Sequence, residues 1–221
     1  MTQDINKSRF SEILQPANLV SLSRVAMAPL IGWLLAIDTT AATIGAAVVM
    51  ILAGVSDALD GYLARRLGQV GGLGIALDPI ADKLFASLLM VFLILYRDLP
   101  LWLAGAIVGR DLLILVVGAL LMRGRKVSLP SNLTGKYAFA AIAVLLASYL
   151  VKFPFGITTF TYIALILLAA STWSYARVYL SWRSGSAPKA FNDNPLCYWT
   201  RTALSWSISA VYLWRLYCHL F

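Results

Sequence analysis

Histidine, cysteine and acidic side chains are scarce in this chain. Of its 221 residues, ten are acidic, two are cysteine and one is histidine. The cysteines, Cys197 and Cys218, stand 21 positions apart; that is no metal-ligand spacing, so both read as inert thiols. The lone histidine, His219, sits almost at the end, which argues against histidine-based catalysis and histidine metal ligands. No linker separates two apolar regions, and there is no internal repeat or low-complexity tract. The first apolar segment is not followed by a small-residue cleavage site, so an uncleaved span is expected and not a signal peptide.

What the chain has in abundance is apolar surface. Its hydrophobic share is 60%, where soluble domains run at roughly 45–50%, and its mean hydropathy is +0.79. A helical membrane protein is the class that fits. Apolar runs of about 20 residues span a bilayer as helices, and such runs lie near 18–36, 41–60, 78–96, 101–121, 137–152 and 157–177. Turn-like punctuation separates them, as at Asp38-Thr39-Thr40, Asp98-Leu99-Pro100 and Phe153-Pro154-Phe155-Gly156.

The net charge of +8 would suggest nucleic acid in a soluble protein. Here the cations fall between apolar segments, and the positive-inside rule accounts for them better. Lys7, Arg9, Arg65, Arg66, Arg123, Arg125, Lys126, Lys136, Arg177 and Arg183 gather on one side, and only Arg97 and Lys152 on the other. Six spans with both termini in the cytoplasm follow, and anionic lipids or phosphorylated substrates become the expected partners. The expected location is the inner membrane of a bacterium. Residues 184–196 read as a polar loop. Trp199 to Phe221, rich in aromatics but interrupted by Arg201, Arg215 and His219, reads as an interfacial amphipathic helix in preference to a seventh span. The expected architecture is therefore an all-α integral membrane protein of six transmembrane helices with a cytoplasm-facing polar metal site. A membrane domain covers 1–183, and a C-terminal extension covers 184–221.

Four of the ten acids, Asp57, Asp60, Asp78 and Asp82, fall within 26 residues across the junction of spans two and three. A carboxylate beside hydrocarbon is costly and usually functional. Residues three or four apart share a helix face, so Asp57 pairs with Asp60 and Asp78 with Asp82. A short connection makes the two helices antiparallel neighbours and lets the pairs converge. Pro79 suits a first helical turn with Asp78 as its N-cap; a proline inside a longer helix is the alternative. Four close carboxylates repel unless a cation neutralises them. Hard oxygen ligands without histidine or cysteine favour Mg²⁺ or Mn²⁺, and two such ions can clamp a diphosphate. A carboxylate left free of metal can take a proton from an attacking hydroxyl. Gly61 and Ala64 leave room beside the backbone, Arg65 can grip a phosphate with two hydrogen bonds, and Gly74 lies four residues before Asp78. Arg66 and Lys83 read as interfacial anchors.

These residues fill every fixed position of D-x2-D-G-x2-A-R-x8-G-x3-D-x3-D, and the chain thereby resembles the CDP-alcohol phosphotransferase family. The likeness runs from about Asn18 to Arg177. It includes the opening Asn-Leu-Val-Ser-Leu-Ser-Arg and Gly135-Lys136, and it leaves out the last 40 or so residues. It implies a six-helix membrane fold and a divalent-metal-dependent transfer from a CDP-linked donor to an alcohol, with CMP released. By the same resemblance Asp57, Asp60 and Asp78 hold the metals, and Asp82 shares in ligation or acts as the base. Gly61, Ala64, Arg65 and Gly74 bind the CDP part, and a homodimer is favoured.

The nearest subgroups by resemblance are phosphatidylglycerophosphate synthases, which use glycerol 3-phosphate, and CMP-forming cardiolipin synthases, which use phosphatidylglycerol. Both would take CDP-diacylglycerol as donor. Glycerol 3-phosphate leads because that activity is the commoner. Arg110 within span four, Lys136 and Arg24 are the candidate acceptor-binding cations; for each a structural role competes, Arg110 by pairing with Asp111, Lys136 by snorkelling, Arg24 by a helix–helix contact. Arg123, Arg125 and Lys126 read as topology anchors. Arg110-Asp111 where phosphatidylglycerophosphate synthases carry Arg-Glu, and Gly135-Lys136-Tyr137-Ala138 where they carry a longer Gly-Lys-x-Lys-Thr motif, lean toward the cardiolipin type. A transporter is a remote rival, because its site would lie near the midplane at a repeat junction. A scaffold role leaves the aspartates unexplained.

Overall fold

The computed structural model describes the backbone of residues 16–67, 72–122, 133–183 and 195–220. It also describes their side chains, except at 16–22, 57–67, 72–80, 117–122, 178, 182–183, 195–201, 203–204 and 220. The described residues are nearly all helical and contain no strand. The helices are α1 (Pro16–Ile37), α2 (Thr40–Leu67), α3 (Gly72–Arg97), α4 (Leu101–Met122), α5 (Leu133–Leu150), α6 (Pro154–Arg183) and α7 (Pro195–Leu220). They fall into two compact units, Met1–Leu99 and Pro100–Phe221.

In the first unit α1 packs against both α2 and α3. Ala28, Ile31 and Leu35 of α1 are fully buried, as are Ala46 and Ala53 of α2 and Leu93 of α3. The small side chains on α2 let the helices approach closely, a habit of membrane bundles. Gly32 meets the Phe92 ring so closely that a Cβ there would lie 2.5 Å from it. The far ends are tied by Arg97, whose side chain is fully buried. It donates to Asp38 Oδ1 (2.6 Å), Thr43 Oγ1 (2.9 Å) and the Tyr96 carbonyl (3.0 Å). Thr39 Oγ1 accepts from the Ala42 amide at 3.2 Å and so caps α2.

In the second unit α5 and α6 form a packed hairpin, with α4 and α7 against α6. Lys152 adopts a left-handed backbone (φ 52°) at the hairpin turn. The Lys152 amide bonds the Tyr149 carbonyl (3.1 Å), and the Phe153 amide bonds the Ser148 carbonyl (2.8 Å). This Schellman pattern closes α5 and turns the chain straight into α6.

Leu133–Leu150 and Pro154–Ser181 are long and apolar enough to cross a membrane, and Ser23–Ile37 and Thr40–Ser56 are shorter apolar helices. Large apolar side chains face outward all along the helices, among them Leu101 (73% exposed), Ile166 (68%), Trp33 and Ile51. Exposed apolar surface on this scale suits a lipid environment.

One expectation is corrected. Helix α3 begins at Gly72 and not at Asp78, so Asp78 is no N-cap and Pro79 lies inside a longer helix. The apolar run Leu73 to Leu77 continues the helical pattern upstream, and Pro79 forgoes only the bond to the Ile75 carbonyl. Helix α6 likewise runs six residues past the expected 177, to Arg183. The cations Arg123, Arg125 and Lys126 and most of the expected loop at 184–196 lie outside the described residues.

Candidate functional site

The acidic motif rests on two unbroken helical stretches. Asp57, Asp60, Gly61, Ala64 and Arg65 belong to α2, and Gly74, Asp78 and Asp82 to α3. Because the backbone is helical throughout each stretch, the three-residue step from Asp57 to Asp60 and the four-residue steps from Gly74 to Asp78 to Asp82 each keep to one face. The early start of α3 is what brings Gly74 onto the face of Asp78. Asp82 alone among these eight has a described side chain; those of the other seven lie outside the described residues.

Asp82 accepts a hydrogen bond from Nη1 of Arg24 in α1. The two ends of this pair differ sharply in environment. The Arg24 side chain is 4% exposed and that of Asp82 is 43% exposed. A guanidinium so buried needs a carboxylate, and Asp82 provides one while keeping its other face toward solvent. Helix–helix contact was one of the two roles foreseen for Arg24, and it is present. It also orients Asp82, which sequence spacing does not reveal.

In the other unit, Arg110 of α4 donates to Asp111 Oδ1 at 2.6 Å and to Ser171 Oγ of α6 at 2.8 Å. Its side chain is 12% exposed, and Ser171 is fully buried. Its Nε is buried with no hydrogen-bond partner among the described residues. Gly135 of α5 faces the same group: a Cβ there would stand 3.3 Å from Nη2 of Arg110, 3.8 Å from Ser171 Oγ and 3.9 Å from the Tyr175 hydroxyl. Arg110, Gly135, Ser171 and Tyr175 thus form one polar cluster, with exposed Lys136 next to Gly135. Ser171 and Tyr175 escaped the sequence reading. Their signal was faint: polar positions four apart near the end of an apolar helix.

Chemically, the motif's donors are carboxylate oxygens alone, the set that suits a hard divalent cation. The part-exposed Asp82, bonded by Arg24, is a carboxylate left accessible on one side. No cluster of three or more ligating side chains occurs among the described residues.

A model of the CDP-alcohol phosphatidyltransferase family matches residues 14–178. The chain is 37% identical over 129 residues to a cardiolipin synthase (CMP-forming) of Streptomyces coelicolor, covering 57% of this chain and 60% of that protein. It is 38% identical over 118 residues to the human cardiolipin synthase (CMP-forming), covering 52% and 38%. To the CDP-diacylglycerol–glycerol-3-phosphate 3-phosphatidyltransferase of Bacillus subtilis it is 30% identical over 141 residues, covering 61% and 72%. The chain therefore spans under two thirds of the first two relatives' length and nearly three quarters of the third's. With a family match over most of its length and the full acidic motif on α2 and α3, the chain belongs to the CDP-alcohol phosphatidyltransferase family.

Proposed function

We propose that the protein transfers the phosphatidyl group of CDP-diacylglycerol to an alcohol and releases CMP. The observation that carries this reading is the full eight-position motif on two continuous helices of a chain of this family. The acceptor hydroxyl attacks the phosphorus attached to the diacylglycerol. The bond from that phosphorus to the bridging oxygen breaks, CMP leaves with the electron pair, and the hydroxyl proton passes to a carboxylate.

Asp57, Asp60 and Asp78 would hold one or two Mg²⁺ or Mn²⁺ ions, with Asp82 as a shared ligand or the base. When bound, such ions supply charge to the diphosphate and the departing phosphate. Gly61 and Ala64 leave the backbone open to the nucleotide, Arg65 binds a phosphate, and Gly74 keeps the facing turn clear. Arg24 fixes the direction of Asp82.

Helices α1 to α6 form the membrane domain as six spans, with the motif facing the cytoplasm of a bacterium. The apolar outward surfaces and the distribution of Lys and Arg support this. Residues 184–221 form an extension beyond it, and a homodimer is the assembly in keeping with the family.

Glycerol 3-phosphate is the leading acceptor, with Lys136 and the Arg110 cluster as the phosphate site. Phosphatidylglycerol is the second reading, and one observation favours it: Arg110 is already engaged by Asp111 and Ser171. The test offers both acceptors in parallel to purified protein with CDP-diacylglycerol and Mg²⁺, and follows lipids and CMP by mass spectrometry. Phosphatidylglycerophosphate supports the first reading and cardiolipin the second. No CMP with either, alongside active controls, counts against both.

A further inference from the structure

Helix α7 lies beyond the family match, which ends at residue 178, yet its C-terminal half is seated in a socket at the α5–α6 turn. Ser148 is fully buried and gives its hydroxyl hydrogen to the Val144 carbonyl (2.7 Å). The Tyr212 hydroxyl, 3.0 Å away, is therefore the donor to Ser148. The Tyr212 ring meets Phe153 and Phe160 edge-on at 5.5 and 5.3 Å. Gly156 makes the room: a Cβ there would lie 2.5 Å from Ser148 Oγ and 2.9 Å from the Tyr212 ring.

The order of contacts gives α7 a direction. His219 meets Phe153 (5.2 Å), Arg215 lies over Phe155 (5.2 Å), and Tyr212 meets Phe160 (5.3 Å). Seven residues back along α7 match seven forward from Phe153 at the turn to Phe160 of α6, so α7 runs antiparallel to α6 there. A helix lying flat at the turn would keep its residues at one depth. After Pro195, α7 contains neither proline nor glycine to bend it, so the same register carries Cys197 to the level of Tyr175 and leaves Cys218 level with Pro154. Those 21 residues rise about 32 Å, close to the roughly 30 Å hydrocarbon thickness.

We infer that α7 is a seventh transmembrane helix, antiparallel to α6, which carries the C-terminus to the membrane face on which the α5–α6 turn lies. The inference rests on α5 and α6 spanning the bilayer, as their length and composition allow. The sequence of α7 accommodates it. Thirteen residues, Thr202 to Trp214, carry no charge. An arginine at each end of such a stretch is tolerated because its long stem reaches the headgroups. The Ser209 hydroxyl is satisfied within the helix, where it donates to the Ser205 carbonyl (2.9 Å). Tyr198 and Trp199 near one end, with Trp214 and Tyr217 near the other, are placed as two interfacial belts.

The native cysteines bracket the helix and supply the test. Three full-length versions would be expressed: C197S, which keeps the exposed Cys218; C218S, which keeps Cys197; and C197S/C218S/K152C, which reports the α5–α6 turn. Each would be treated with a membrane-impermeant maleimide in intact and in permeabilised spheroplasts. Labelling of Cys218 and of the residue-152 reporter in intact spheroplasts, with Cys197 labelled only after permeabilisation, is the expected result. An externally labelled 152 reporter with both native cysteines reached only after permeabilisation would overturn the seventh span and leave α6 spanning. A 152 reporter on the same side as Cys197 would overturn the spanning of α6 and the inference with it.

Discussion

Under the proposed function, Asp82 and Arg24 would serve both folding and chemistry as one pair. The buried arginine needs an acceptor, and the part-exposed aspartate provides one while remaining open to solvent. Asp82→Asn keeps an oxygen for Arg24 but removes the charge and the basicity. Turnover should fall by about 10²- to 10⁴-fold, the usual worth of a general acid–base group, and the detergent melting temperature should fall as well, because the buried guanidinium loses its counter-charge. Removing the arginine instead leaves Asp82 hydrated and undirected, so Arg24→Met should lower both activity and stability; CMP release and a melt on the same preparation would separate the effects. The pairing was only half legible in the sequence. An arginine inside an apolar run signals that a partner exists, but 58 residues separate it from Asp82, and only packing selects among the four aspartates. Arg110 differs, because its partner Asp111 is its chain neighbour and the pair was foreseeable.

Among the elements, the clasp at Arg97 joins α1, α2 and α3 at the end of the first unit. Asp38 has a left-handed backbone (φ 49°), which asparagine and aspartate tolerate better than other side chains. Asp38→Asn should therefore cost less stability than Asp38→Ala, which deprives the buried Arg97 guanidinium of its carboxylate and leaves it Thr43 and the Tyr96 carbonyl; denaturant titration in detergent compares them. Gly32→Ala forces the added methyl into the Phe92 ring and should cost about 1–3 kcal/mol. A second change, Phe92→Leu, should recover part of that loss in the same titration. Helix existence was legible here, because long apolar runs and turn residues mark it. The boundary of α3 was not. Pro79 looks like a first-turn proline by local rules, and a proline inside a helix is recognised only once the apolar residues upstream of Asp78 are seen to be helical.

For the whole molecule, the chain combines an apolar exterior with scarce, clustered acids. That combination made the class legible from sequence, and the eight fixed positions made the family legible, since they leave little room for coincidence. The cluster of Arg110, Gly135 and Ser171 was less legible, because its members lie far apart in sequence and meet only through packing. If the acids bind divalent cations, EDTA should abolish turnover, and excess Mg²⁺ or Mn²⁺ should restore it; calcium, larger and laxer in geometry, should restore less.

The most direct test is CMP release from CDP-diacylglycerol by the purified full-length protein, run beside Asp82→Asn in matched detergent with Mg²⁺ and both acceptors. The account predicts acceptor-dependent CMP release by the unmodified protein and a loss of at least about 10²-fold in the folded variant. Equal rates for the two proteins, or no CMP from the unmodified one while a known phosphatidyltransferase works in the same assay, would contradict it.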